Sequence, residues 1–235
     1  RGGVKLRFAG TRPLTPSTTE FSFEPARPVR FLPGQYMELD LPHAKSDGRG
    51  RRRVFSMTGS PTDRMVKFGV RTAEPLSAAK RVLLGLQPGD ELTATSVGGD
   101  FVLPRDPGKP VLLIAAGIGI TPYLSHLASG GLRERDAILL LLARTTDEVA
   151  YADELRAAGV RVLVRLADGS QPPSGFAAVP GDGSRLDAGA LRGLVPDIGK
   201  RIVYISGSPA SVASLRRAAR KAGAARVHVD SFAGY

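Results

Sequence analysis

The chain has 235 residues, of which 42% are hydrophobic, enough for one large domain or for two domains of roughly 100 to 130 residues. Its net charge of +11 is spread evenly, with 17 basic and 11 acidic residues in positions 1–106 and 16 and 11 in positions 107–235, unlike a chain with a basic nucleic-acid-binding arm. Because cysteine is absent, the chain cannot form disulfides, thiolate metal sites or cysteine-ligated iron–sulfur clusters, and redox chemistry would need a bound organic cofactor.

Short segments of alternating polarity, broken by Gly and Pro, fill the first part of the chain. They lie at residues 4–9, 18–23, 36–41, 53–57, 65–71 and 91–97. Such spacing is typical of a small antiparallel β-barrel, which we assign to residues 1–106. One helix is predicted at residues 77–86, where Ser77 is a suitable N-cap and the sequence PGD at 88–90 forms a stop.

The periodicity changes after the proline-rich and charged segment 104–110. Buried-strand runs are predicted at residues 111–115, 137–142, 160–166 and 202–205, helices at 121–128, 148–158, 187–194 and 209–222, and a last strand at 226–229. Alternating strands and helices predict a doubly wound α/β domain with a parallel sheet over residues 107–235. The stretch 168–183 is rich in Gly, Pro and Ser and is predicted to be a mobile loop. The longest apolar stretch, 111–120, is far shorter than the roughly 20 residues of a membrane span.

The fourth segment of the barrel carries an arginine, an aromatic residue and a serine, downstream of the sequence PGQY at 33–36. In a strand, Arg53 and Phe55 point to one side and Val54 and Ser56 to the other. The strand can therefore present a guanidinium for a phosphate beside an aromatic wall. Taken alone, the tetrapeptide is more often a core strand with a surface arginine.

A second motif, GIGITP at 117–122, directly follows the apolar run 111–116. Gly117 and Gly119 stand where a buried strand must turn tightly into a helix, which leaves backbone amides open toward a diphosphate. Pro122 suits the first turn of that helix. The glycine spacing differs from the G-x-G-x-x-G fingerprint of many dinucleotide-binding proteins.

Together, the two motifs resemble those of the ferredoxin–NADP reductase-like superfamily, and the resemblance covers nearly the whole chain. In that superfamily an antiparallel barrel holds a flavin, and a following α/β domain brings up a nicotinamide nucleotide. The resemblance implies an FAD-binding barrel at 1–106 and an NAD(P)-binding domain at 107–235. It also implies an FAD-dependent NAD(P)H oxidoreductase that passes hydride from the nicotinamide to FAD, and electrons on to an external acceptor.

For the barrel, the resemblance assigns particular roles. Arg53 would contact the flavin phosphate, Phe55 would pack on the flavin ring without the hydroxyl of the more usual tyrosine, and Ser56 would lie near N5. Ser77 and Ala78 resemble the second phosphate-binding turn, which would hold the pyrophosphate of FAD rather than the single phosphate of FMN. The glycine that usually precedes this turn is missing, and as an isolated motif Ser77 is an ordinary N-cap.

For the α/β domain, Thr121 would lie near the nicotinamide. Ser206 and Gly207 stand where the superfamily commonly has Cys-Gly-x-Pro, with the cysteine close to the site of hydride transfer. Phe232 is the first choice for an aromatic residue covering the flavin and Tyr235 the second, whereas a frayed terminus is the alternative.

Arg144 follows the second strand of the α/β domain, where an arginine could clamp a 2′-phosphate, so NADPH is slightly favoured over NADH.

The candidate catalytic residues are Ser56, Ser206 and Phe232, and no metal site is predicted. The candidate cofactor-binding residues are Arg53, Val54, Phe55, Ser56, Met57, Arg71, Ser77, Ala78, Gly117, Gly119, Thr121, Pro122, Arg144, Gly207, Phe232 and Tyr235.

The chain begins at Arg1 without a methionine, which favours a reductase module cut from a larger protein. One version of this expectation places the electron acceptor in a membrane-embedded N-terminal domain of the same protein and the present chain in the cytoplasm. The alternatives are a stand-alone flavin or ferric-siderophore reductase, and a non-catalytic regulatory module that binds a flavin or nucleotide. No nucleic-acid partner is expected.

Overall fold

The computed structural model describes residues 2–42 and 48–232. The chain divides into two compact units. The first comprises the described residues up to Val102 together with Thr121–Ser129, and the second comprises Leu103–Ile120 and the described residues from Gly130 onward.

The first unit is built on a six-stranded antiparallel sheet in the order β4-β3-β6-β1-β2-β5. Its strands are β1 (Val4–Thr15), β2 (Thr18–Pro25), β3 (Tyr36–Asp40), β4 (Arg52–Ser56), β5 (Val66–Arg71) and β6 (Glu91–Gly98). A bridge between Met57 and Phe68 joins the two outer strands, β4 and β5, so the sheet closes on itself as a barrel does. Helix α1 (Ala78–Leu84) lies between β5 and β6 in the chain.

The barrel interior is filled because its strands alternate. In β5, Val66, Phe68 and Val70 are buried, while the residues between them are partly exposed. Phenylalanines dominate the interior, with ring centroids 5.6 Å apart for Phe8 and Phe23 and 5.9 Å apart for Phe23 and Phe68. These tilted contacts are the arrangement that aromatic side chains prefer.

The second unit is built on a six-stranded parallel sheet in the order β10-β9-β8-β7-β11-β12. Its strands are β7 (Val111–Ala116), β8 (Ala137–Ala143), β9 (Arg161–Leu166), β10 (Ala177–Val179), β11 (Ile202–Gly207) and β12 (Arg226–Ser231). Its helices are α3 (Ala152–Ala157), α4 (Ala188–Leu194) and α5 (Pro209–Lys221), whereas α2 (Thr121–Ala128) groups with the first unit. The central strands are continuous apolar runs, because helices cover both faces of a parallel sheet.

The strand order reverses between β7 and β11. The chain moves outward from β7 through β8, β9 and β10, and then returns to the other side of β7 as β11 and β12. β7 and β11 pair in parallel, with Ser206 opposite Ala115. Open α/β sheets bind ligands at the carboxyl ends of the strands that flank such a reversal.

Two local predictions were wrong. Helix α3 begins at Ala152, four residues later than predicted, because a 3-10 turn at Thr146–Glu148 and the left-handed Tyr151 (φ 59°) precede it. The predicted loop 168–183 contains strand β10, which pairs with β9. Side chains from neighbouring elements also hold this segment, since Arg165 Nε donates to the carbonyl of Pro180 at 2.9 Å and Arg156 Nε to that of Ser174 at 2.6 Å.

Candidate functional site

Strand β4 shows the alternation that the sequence predicts. Arg53 and Phe55 pair with Leu39 and Met37 of β3, whose buried side chains belong to the barrel core. Directly paired residues share a face of the sheet, so Arg53 and Phe55 lie on the inner face of β4. The Phe55 ring is half-buried, with its centroid 5.9 Å from that of Phe68.

The other two members of the β4 segment differ in exposure. Val54 is 44% exposed, whereas the Met57 side chain is buried in the barrel core. Any contact of Met57 with a ligand would therefore involve its backbone.

The Arg53 guanidinium is held in place by backbone carbonyls. Its Nη1 donates to the carbonyls of Arg49, Gly50 and Arg52 at 3.1, 2.9 and 2.9 Å. The side chain is half-buried and fixes the turn that leads into β4. A positioned guanidinium of this kind can bind a phosphate with little loss of side-chain freedom.

Ser56 is buried, with 3% of its surface exposed, and its Oγ forms no hydrogen bond with any described residue. A buried hydroxyl without a partner costs about 1 to 3 kcal/mol, which a ligand that supplies a hydrogen bond would recover. Tyr36 pairs with both Ser56 and Gly98. A Cβ added at Gly99 would lie 3.0 Å from Tyr36 Cδ1, so the tyrosine ring lies close against this glycine backbone. The sequence analysis did not assign a role to Tyr36, although PGQY contains it.

Helix α1 begins as predicted, with Ser77 as its N-cap. Ser77 Oγ accepts a hydrogen bond from the backbone N–H of Lys80 at 3.2 Å. This contact is that of an ordinary N-cap, and it leaves the hydroxyl proton of Ser77 available as a donor. Ala78 follows and is half-buried, and Arg71 closes β5.

The glycine turn at Gly117–Ile120 lies against the end of β11. Gly117 has a φ of +57°, in the left-handed region. A Cβ added at Gly119 would lie 2.2 Å from the carbonyl oxygen of Ser206 and 2.9 Å from Gly207 Cα, and a Cβ at Gly207 would lie 3.0 Å from Ala116 Cβ. No side chain fits between the glycine turn and the end of β11. This close backbone packing provides the kind of turn that binds a nucleotide diphosphate.

Ser206 and Phe232 belong to the same edge of the parallel sheet. Ser206 is fully buried, and its Oγ forms no hydrogen bond with a described residue. The Phe232 backbone N–H donates to the carbonyl of Gly207 at 3.0 Å, which continues the pairing of β12 with β11. The structure thus brings Gly117, Gly119, Ser206 and Phe232 to one edge, while Tyr235 lies outside the described residues.

Helix α2 starts directly after the glycine turn. Thr121 and Pro122 form its first turn, as predicted, and both are buried. Ser125, one turn further on, is a third buried hydroxyl that forms no hydrogen bond with a described residue.

Arg144 follows β8 at the same carboxyl edge as Ser206. Its side chain is exposed and forms no hydrogen bond or ion pair with the described residues. The neighbouring hydroxyls are already engaged, since Thr145 donates to Asp147 and Thr146 Oγ1 donates to the carbonyl of Gln171 at 2.5 Å. Arg144 is therefore the group of this segment that is available to an anionic ligand.

An antiparallel barrel followed by a parallel sheet with a glycine turn at its reversal point is the architecture that the sequence resemblance implies for an oxidoreductase of flavin and nicotinamide nucleotides. Comparison with models of protein families gave no match. Ferredoxin–NADP reductase B of Sorangium cellulosum is 31% identical over 218 residues, an alignment that covers 88% of this chain and 82% of that protein. The reductase component of propane 2-monooxygenase from Rhodococcus jostii is 30% identical over 227 residues, covering 90% of this chain and 59% of that protein.

Among solved structures, the flavohaem-like FAD/NAD-binding domain of nitric oxide dioxygenase from Vibrio cholerae superposes with a TM-score of 0.81 at 21% identity, covering 99% of both chains. At this identity the superposition supports the fold. The chain belongs to the ferredoxin–NADP reductase-like superfamily of FAD-dependent NAD(P)H oxidoreductases.

This membership confirms the predicted fold class and the predicted cofactors FAD and NAD(P)H. The roles of individual residues and the identity of the acceptor remain proposals. The chain spans about 60% of the length of the first curated relatives that it matches. In the described part of the chain, no helix has the length and apolar composition needed to cross a membrane.

Proposed function

We propose that this chain is a reductase module that takes reducing equivalents from NADPH and delivers them, by way of FAD, to a separate oxygenase or haem component. The observation that carries the proposal is the backbone contact between the glycine turn and β11, which admits no side chain at Gly119. Such a turn, at the reversal point of a parallel sheet, suits the diphosphate of a nicotinamide nucleotide. When bound, FAD supplies the redox chemistry by accepting a hydride and releasing electrons one or two at a time.

The chain itself contributes binding, orientation and exclusion of water. Arg53 holds a flavin phosphate, and Phe55, whose ring is only half-buried, packs on the flavin with its exposed part. Ser56 offers a buried hydroxyl to a polar atom of the flavin ring, because that hydroxyl has no partner among the described residues. In the second unit, Ser206 offers a similar hydroxyl to the nicotinamide. Positioning of this kind is the main contribution that a protein makes when both reactants carry their own chemistry.

Anaerobic reduction tests this function directly. The purified chain, loaded with FAD, should lose its flavin absorbance rapidly and completely on mixing with NADPH. A regulatory module would bind FAD and leave it oxidised. A stand-alone flavin reductase would instead turn over free riboflavin or FMN as saturable substrates.

The preference for NADPH rests on Arg144. A guanidinium that meets a 2′-phosphate in two charge-assisted hydrogen bonds contributes about 1.5 to 3 kcal/mol, or roughly a 10- to 150-fold effect. We therefore expect Arg144→Ala to raise the KM for NADPH about tenfold or more and to change NADH kinetics little. Arg161→Ala is the matched control, because Arg161 is also exposed but lies at the opposite, amino end of β9. Equal losses with NADPH and NADH, or a wild type that prefers NADH, would remove the 2′-phosphate role.

The proposed electron acceptor follows from the kinds of protein that the relatives are named as. The R. jostii relative is named as a reductase component of a monooxygenase, and other relatives are subunits of demethylase systems or flavohaemoproteins. An oxygenase or haem component is therefore a better-supported acceptor than a membrane-embedded domain. A cytoplasmic location is part of this proposal.

A further inference from the structure

Gln35 closes a tight turn in front of strand β3. Its backbone N–H donates to the carbonyl of Leu32 at 3.1 Å, and its side-chain Oε1 accepts from the Leu32 N–H at 2.8 Å. Pro33 and Gly34 lie between these two residues, and Gly34 has a φ of +94°. Proline followed by a glycine of positive φ is the pattern of a type II turn. The turn is therefore closed twice, once by the backbone and once by the Gln35 side chain.

The other end of the Gln35 amide holds the segment that follows β6. Its Nε2 donates to the carbonyl of Gly99 at 3.0 Å. A Cβ added at Gly34 would lie 1.9 Å from the carbonyl oxygen of Phe101, so the backbone of the turn also lies directly against this segment. The Gln35 side chain is half-buried and both of its hydrogen bonds go to the backbone. Gln35 therefore fixes the turn against residues 99–101.

The backbone carbonyl of Gln35 holds the end of strand β4. It accepts a hydrogen bond from the Met57 N–H at 3.2 Å, directly beyond the pairing of Tyr36 with Ser56. After this bond the chain leaves β3, because Met57 forms the bridge to Phe68 of β5. Ser56 thus lies where its strand changes from one neighbour to the other. Among the described residues, the bond to Gln35 is the last that holds the end of β4 to β3.

The position of this strand end matters because of the Ser56 hydroxyl. The hydroxyl is buried and forms no hydrogen bond with a described residue, so the protein itself does not fix the direction in which it points. Hydrogen bonds weaken steeply when the donor and acceptor are misaligned. A ligand atom can therefore use the Ser56 hydroxyl fully only if the backbone of β4 is held in place.

We propose that Gln35 is a positioning residue for Ser56, an inference that rests on the proposed function. The side-chain amide fixes the turn, the Gln35 carbonyl fixes the Met57 N–H, and the Ser56 hydroxyl is thereby placed for the flavin ring. Gln35 acts in this scheme through Ser56 and not by touching the flavin. Removal of the Gln35 amide should then affect flavin binding and reduction only while the Ser56 hydroxyl is present.

The test is a double-mutant cycle between Gln35 and Ser56. Gln35→Met keeps the length of the side chain and removes both of its hydrogen bonds, and Ser56→Ala removes the hydroxyl. Each single variant should weaken FAD binding at least about fivefold in fluorescence titrations and should slow the reduction of bound FAD by NADPH at least about fivefold in stopped-flow measurements. The NADPH concentration that gives half the maximal rate should change less than about twofold. The double variant should lose little more than Ser56→Ala alone.

The stability of the apo-proteins separates positioning from folding. Gln35→Met should lower the urea midpoint equally with and without Ser56→Ala, because the lost turn bonds do not involve the hydroxyl. Gln87→Met is the matched control. Gln87 begins another Pro-Gly turn of the first unit, in which the Asp90 N–H donates to the Gln87 carbonyl at 2.9 Å, and the exposed Gln87 side chain forms no hydrogen bond with a described residue. The control should leave FAD affinity and the rate of reduction unchanged.

Gln35→Glu gives a second measurement if Gln35→Met does not fold. A carboxylate keeps the acceptor for the Leu32 N–H and lacks only the donor to the Gly99 carbonyl, so the turn stays closed. We expect the same dependence on Ser56. Wild-type affinity and rate in the Gln35 variants, or losses that add to those of Ser56→Ala, would overturn the positioning role. A wild-type protein that binds no FAD, or whose FAD is not reduced by NADPH, would instead overturn the proposed function.

Discussion

A single methyl group at Gly119 should disturb the nucleotide edge of the parallel sheet. A Cβ at this position would lie 2.2 Å from the Ser206 carbonyl oxygen and 2.5 Å from the Ser206 carbonyl carbon, whereas ordinary contacts begin at 3.4 Å. Both atoms belong to the backbone, so no side-chain rotation relieves the clash. The turn and the end of β11 must therefore separate by roughly 1 Å.

The expected changes in stability and in the rate of FAD reduction both follow from this displacement. Overpacking of a closely packed site costs about 1 to 3 kcal/mol, so Gly119→Ala should lower the free energy of unfolding by about 2 kcal/mol or more. A displacement of roughly 1 Å in a reacting geometry can slow a reaction on the order of 100-fold, so reduction of bound FAD by NADPH should slow at least about tenfold. Urea unfolding and anaerobic stopped-flow absorbance measure the two effects.

Alanine variants at two other glycines are controls that distinguish the clash at Gly119 from the general effects of replacing a glycine. Gly117 has open space at its Cβ position but a φ of +57°, so Gly117→Ala should cost only the backbone strain of about 1 to 2 kcal/mol. Gly193 lies in α4 with nothing within 4 Å, so Gly193→Ala should stabilise the chain by about 0.5 to 1 kcal/mol. If Gly119→Ala retains wild-type stability and wild-type reduction by NADPH, the argument that the turn must lie against β11 is refuted.

Three further predictions concern other parts of the chain. Arg201→Met should lower the free energy of unfolding by about 1 to 3 kcal/mol in urea melts, because its guanidinium donates to two backbone carbonyls near the start of the parallel sheet; an unchanged midpoint would contradict this. The Arg201 hydrogen bond lowers the pKa of Asp197 below 3.8, so the stability advantage of wild type over Asp197→Ala should be present above pH 3.8 and disappear as the pH falls through the lowered pKa. Arg53→Ala should fold, by circular dichroism, yet retain little flavin after gel filtration, and a fully loaded variant would show that Arg53 is not the anchor.

The sequence predicts most of the fold because the periodicity of its strands reflects burial. The parallel strands are continuous apolar runs, and β5 alternates with a period of two, so both sheets could be predicted without the structure. Strand β10 was missed because it has only three residues within a segment rich in Gly, Pro and Ser. The closure of the barrel through Met57 and Phe68 was also not predictable, because no local pattern encodes pairing between two distant strands.

The candidate site was less predictable, because motifs identify residue types but not their partners. The alternation of strands and helices predicts a doubly wound sheet. In such a sheet the glycine turn after β7 lies close to Ser206 at the end of the neighbouring strand β11. Whether a given hydroxyl already has a hydrogen-bond partner within the chain does not follow from the strand order. Thr145 and Thr146 follow Arg144 and could equally bind a nucleotide, yet their hydroxyls are engaged within the chain.

The replacement of the usual cysteine by Ser206 has a physical consequence for nucleotide binding. A thiol is a weak donor that behaves as a small apolar group when buried, so leaving it without a partner costs little. A hydroxyl in the same place loses its hydrogen bonds to water, at a cost of about 1 to 3 kcal/mol, unless another group supplies one. Ser206 is fully buried, and its Oγ has no hydrogen-bond partner among the described residues. If the nicotinamide supplies a hydrogen bond to Ser206, as proposed, the serine should therefore gain more from nucleotide binding than a cysteine would.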